Sequence, residues 1–160
     1  MSKLSAALGD KFEAKKPDLL IRSFELGGHT FRVRIPLVAE SDAIYARLSL
    51  PQEDAVNEAF HLITKDLDKF KDAESSEMQF TPDDVMVQGR SMREAARNRV
   101  ITEMRITEFI KLLVPEVQGA TLDDLTYAEI EQEFPLPVQL ALVEKIAEAV
   151  TPGYKETRKN

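Results

Sequence analysis

At 160 residues the chain is long enough for one ordinary domain with a hydrophobic core and too short for two full-sized ones. Apolar residues at 43% and charged residues at 31%, with six glycines, exclude the disordered and fibrous classes. The absence of cysteine excludes disulfides and thiolate zinc sites, and a net charge of −7 speaks against a general nucleic-acid binder.

A cysteine-free chain suits a reducing cytoplasm. The first eighteen residues hold no apolar run fit for a signal peptide, and no later stretch reaches the ~20 apolar residues of a membrane span. Neither secretion nor membrane insertion is expected. Charge alternates by segment: basic to Arg34, acidic from 50 to 86, basic again from Arg90 to Lys111, then acidic from 120 to 148. Such blocks either neutralise one another within a monomer or give it complementary surfaces for stacking copies of itself.

In chain order, residues 1–19 are expected to form a flexible or loosely docked arm, at most a short helix. Residues 20–151 form a single globular domain, and 152–160 a polar tail. From Leu20 to Ile35 the pattern alternates with period two around Gly27-Gly28, the signature of a hairpin with a tight turn. That turn sets Leu26 opposite His29, Phe24 opposite Phe31, Arg22 opposite Val33 and Leu20 opposite Ile35. This face is largely apolar, while Ser23, Glu25, Thr30, Arg32 and Arg34 face water or a charged partner. Val38 to Leu48 reads as a short helix. Pro51 opens the next one, with Val56, Ala59, Phe60, Ile63, Leu67 and Phe70 on a single apolar face. The segment 71–80 reads as a loop, and Thr81-Pro82-Asp83-Asp84 as a helix start leading through Val85, Met86 and Val87 to Gly89.

The longest consistent stretch is Gln88 to Pro115. Ser91 and Glu94 form a capping box, and Pro115 cannot continue a helix. Met92, Ala96, Val100, Ile101 and Met104 share one face, whereas Ile106, Phe109, Ile110, Leu112 and Leu113 gather on roughly the opposite one. The apolar stripe changes sides near Arg105, which requires two separate partners along one helix. Two further caps follow, Thr121 with Asp124 and Thr126 with Glu129. The second starts a short helix, and Phe134-Pro135-Leu136-Pro137 launches the last one, ending at Thr151. The expected fold is α+β and mostly helical, with a β-hairpin at about 20–35 on a bundle of about five helices.

Chemistry is sparse. His29 and His61 lack companions that would complete a metal shell. Asp83-Asp84 and Asp123-Asp124 fall in expected first helical turns, where the macrodipole favours negative charge. Gly27-Gly28 lacks the pattern of a phosphate loop, and no serine has an assembled base. No catalytic, cofactor or metal site is expected, and the chain does not read as an enzyme. The arginines from Arg90 to Arg105 could track phosphates, but without interleaved aromatics ion pairing within or between subunits is the preferred reading. The residues singled out for protein contacts are Arg32, Arg34, Arg90, Arg93, Arg97, Phe134 and Leu136.

Taken together, SFELGGHTFRVRIP before a helix, MQFTPDDVMVQG before the long helix, and a short acidic end resemble the tail assembly chaperones of lambda-like long-tailed phages. The similarity spans roughly residues 20–113 and includes a helix start like Phe80, Thr81 and Asp84. It implies a non-enzymatic protein of the host cytoplasm that leaves no trace in the virion. Such a chaperone coats the tape measure protein, keeps it soluble and recruits major tail protein. The resemblance also implies self-association into a spiral and a frameshifted longer form; charge and hydropathy lead to the expectation of no nucleic-acid or membrane partner. The alternative is a structural phage tail or connector subunit, or a small adaptor.

Overall fold

The Gly27-Gly28 turn forms as the alternation requires. In the computed structural model, which describes residues 2–70 and 77–151, β1 (Ile21–Leu26) pairs antiparallel with β2 (His29–Arg34). The register sets Leu26 opposite His29, Phe24 opposite Phe31 and Arg22 opposite Val33. The Ile35 amide reaches the Leu20 carbonyl at 2.7 Å and extends the pairing by one step. Both glycines have positive φ, 61° and 81°, as a two-residue turn matched to strand twist demands of its central positions.

The described residues hold seven α-helices and five strands, a mixed α+β fold that is mostly helical. By contacts the chain falls into two compact units, one made of residues up to Ser41 and from Ile106 onward, the other running from Asp42 to Arg105.

In the first unit the hairpin packs against α7 (Leu136–Val150). The core gathers Val33, Ile106, Phe109, Ile110, Leu112, Ile130, Leu142, Val143 and Ile146. The outer edge of β2 is not left open. The Arg34 amide donates to the Leu112 carbonyl at 2.9 Å, and the Val114 amide to the Arg32 carbonyl at 2.7 Å. Residues 112–114 thus act as a short third strand. This answers the need of a lone hairpin for cover, and it also stops the long helix before Pro115.

The N-terminal segment is helical through most of its length. It forms α1 (Lys3–Leu8) and α2 (Asp10–Leu20), broken at Gly9, whose φ is 84°. Ser2 caps α1 by accepting from the Ser5 amide. None of the α2 side chains is buried, and Pro17 sits inside that helix, which explains why no apolar stripe announced it. The expected polar tail at 152–160 lies outside the described residues, as does most of the expected loop at 71–80.

The second unit packs α4 (Glu53–Thr64) on a small meander and on the first half of α5 (Met92–Ile110). Its core is Val56, Phe60, Val85, Ala96 and Val100, with Met92 and Met104 against them. The switch of apolar side near Arg105 is therefore real. Met92, Ala96, Val100 and Met104 before it belong to this core, and Ile106, Phe109 and Ile110 to the core of the first unit.

Three expectations need correction here. The helix start at Thr81 does not form: β3 (Met78–Phe80), β4 (Val85–Val87) and β5 (Arg90–Ser91) make an antiparallel meander instead. Val85-Met86-Val87 is short, carries two β-branched valines, and finds strand partners on both sides. The α4 helix ends at Thr64 and continues only as a single 3₁₀ turn at Asp68–Phe70, leaving Phe70 largely exposed. Thr121 makes a turn, accepting from the Asp123 amide, and no helix begins there.

Phe31 and Phe24 stack with centroids 5.3 Å apart, but both rings are only half-buried. Full burial would make Phe31→Ala cost roughly 3–5 kcal/mol; half-burial brings the expected loss to about 1–3 kcal/mol. A urea-midpoint shift equivalent to the full-burial value would show that the ring is enclosed more tightly than this packing implies.

Candidate interaction surfaces

The arginine series is mostly spent inside the second unit. Arg93 donates from Nε to the Asp83 carbonyl and from Nη1 to Asn57 Oδ1, both at 2.7 Å. Its guanidinium lies 4.4 Å from the centre of the Phe60 ring, a cation–π contact. Arg97 pairs with Glu53 at 3.1 Å, and Arg99 with Glu103 at 3.2 Å along the same helix. Arg90 lies on β5 with its side chain exposed.

Asp84 organises the start of α5. Its Oδ1 accepts from the Val85 amide at 2.7 Å and the Arg93 amide at 2.9 Å, while Oδ2 accepts from the Ser91 hydroxyl. The same Ser91 oxygen accepts from the Glu94 amide at 3.1 Å, as the capping box requires. Burial by itself would push the Asp84 carboxyl up. The Ser91 hydroxyl, the Arg93 and Val85 amides and the Arg93 charge together outweigh it and hold the carboxyl below its usual range. Of the acidic pair at 83–84, Asp84 does serve helix capping, but for a helix that starts eight residues further on, while Asp83 offers its backbone carbonyl to Arg93.

In the first unit Arg34 forks onto Glu40 with bonds of 2.8 and 2.5 Å, so it meets an internal carboxylate. Arg32 is exposed on the water-facing side of β2. Phe134 packs partly against the core, and its carbonyl accepts from Gln139 Nε2 at 2.8 Å. Leu136 stands at the start of α7 with half its surface in solvent. The seven singled-out residues are thus divided between the units: Arg32, Arg34, Phe134 and Leu136 in one, Arg90, Arg93 and Arg97 in the other.

Other positions carried no sequence signal. Gln139 is buried, with both ends satisfied because the Tyr127 hydroxyl donates to its Oε1 at 3.0 Å. Arg22 reaches the Ala149 carbonyl at 2.8 Å, placing a cation near the C-terminus of α7, where the dipole favours it. His29 lies 3.5 Å from Glu116 and edge-on to Phe31, with histidine and glutamate both exposed. Among the described residues no group of three or more His, Asp and Glu could hold a metal ion, and no helix is long and apolar enough to cross a membrane.

The helix α3 (Val38–Ser49) is thinly covered. Ile44 is its one buried residue. Val38 is 77% exposed, and Tyr45, seven residues on and so nearly in line with it, is also exposed. Leu37 and Leu50 flank the helix, and Leu50 is 80% exposed.

Fold and surfaces together define a mostly helical α+β protein whose distinctive features are exposed apolar side chains. Comparison with protein-family models, curated proteins and solved structures finds no match to this chain.

Proposed function

We propose that this chain is a tail assembly chaperone of the lambda-like kind, acting in the host cytoplasm by binding and without catalysis or a cofactor. It holds the tape measure protein in solution and recruits major tail protein. One observation carries the reading. A twelve-residue helix that buries a single side chain and shows Val38 and Tyr45 along one line has the features of a groove-side partner for an apolar client helix. The strand-turn-strand at 21–34 supports it through the resemblance, whereas MQFTPDDVMVQG folds as strands and lends it less.

Coexpression with an aggregation-prone tape measure fragment is expected to keep that fragment in the supernatant. Val38→Glu combined with Tyr45→Glu should abolish this without changing the helical content of the chain. Solubility that survives the double substitution removes α3 as the client surface. Mass spectrometry of purified virions should find no copies of the chain; stoichiometric copies would favour the structural tail or connector subunit.

A further inference from the structure

Two exposed ridges of the first unit match each other in chemistry and spacing. On α7, Leu136, Leu140, Glu144 and Glu148 follow at intervals of four, all exposed, with Leu136 at 51% and Leu140 at 47%. On α2, Lys11, Lys15 and Leu19 do the same, with Leu19 at 65%. Residues four apart form a single ridge on a helix, and each step advances about 6 Å in both. Laid antiparallel, the ridges register Leu19 on Leu140, Lys15 on Glu144 and Lys11 on Glu148. The parallel arrangement would set lysine on leucine.

Within one chain none of these side chains is buried, and among the described residues no ion pair joins the two ridges. The nearest carboxylate to Lys15 in the ion-pair geometry is Asp18, at 4.0 Å with both side chains largely in solvent, a weak competitor.

We propose that α2 of one copy docks on the Leu136–Glu148 ridge of a second copy. Two different surfaces meet, so the contact is heterologous and joins copies head to tail. Leucine pairing at one end excludes water, and the two lysine–glutamate pairs set direction and register. The proposal concerns contacts between copies and stands apart from the identity of any client.

Sedimentation velocity of the full chain tests it. Wild type is expected to self-associate at low salt and to shift toward monomer as salt screens the pairs. Lys11→Glu with Lys15→Glu, and separately Glu144→Lys with Glu148→Lys, should each weaken association on the order of tenfold or more, since like charges then face each other. All four sites are exposed, so circular dichroism should match wild type. An equimolar mixture of the two variants should recover wild-type assembly, because each reversed ridge meets its complement. The proposal is overturned by a wild type that stays monomeric at its highest soluble concentration, by variants that assemble like wild type, or by a mixture that fails to recover assembly.

Discussion

Replacing Leu142 with alanine is expected to destabilise the protein by about 3–4 kcal/mol, read as a lower urea midpoint at unchanged slope. Leu142 is 1% exposed and sits among Val33, Ile106, Ile130 and Ile146, contributed by a strand and by three helices. Removing its three outer carbons forfeits transfer free energy and leaves a cavity that β-branched neighbours, stiff at χ1, fill poorly. Leu140→Ala, two residues away on the exposed ridge, is the matched control and should stay within roughly 0.5 kcal/mol of wild type. Equal effects at the two positions would mean that α7 is rotated from the face described.

Asp84→Ala should cost about 2–3 kcal/mol, more than a simple helix cap. The substitution strips an acceptor from the Arg93 and Val85 amides and from the Ser91 hydroxyl at once. It also removes the anion beside an arginine that bridges to Asn57 and covers Phe60. The folded-state pKa of Asp84 lies below its unfolded value, so the carboxylate stabilises the fold above the ordinary aspartate pKa of about 3.9. That contribution disappears as pH falls through the lower, folded value, because the unfolded chain binds the proton first. The gap between wild type and Asp84→Ala should therefore be steady near neutrality and narrow in acid. A gap that holds its width throughout the acid range would show that shape, not charge, is what Asp84 supplies.

The difference between these two positions also separates what could be read early from what could not. Leu142 recurs with Val138, Val143, Ile146 and Val150 at helical spacing, a local pattern that by itself puts it on a buried face. Asp84 was legible as a capping acid, but its target was not, because the turn carrying it folds back onto a helix that starts beyond β5. The bonds of Arg93 to Asn57, 36 residues away, and of Arg22 to a carbonyl 127 residues away leave no local pattern at all. Of the seven residues chosen for protein contacts, Arg34, Arg93 and Arg97 have internal partners and Phe134 packs partly against the core, while Arg32, Arg90 and Leu136 remain on the surface.

By itself the sequence determined the hairpin and its register, the N-caps at Ser91 and Thr126, whose hydroxyl oxygens accept from the Glu94 and Glu129 amides, and the change of apolar side near Arg105. Each rests on neighbours within a few residues, where backbone sterics and helical or strand period act directly. Tertiary structure decided that α5 stops at Ile110, that Val85-Met86-Val87 becomes a strand, and that Gln139 is buried. In each case the outcome turned on a distant group: the open edge of β2 for residues 112–114, the flanking strands of the meander, and the Tyr127 hydroxyl with the Phe134 carbonyl for Gln139. A backbone or side-chain polar group goes wherever the folded chain brings it a partner, and that meeting is fixed by the packing of elements far apart in sequence.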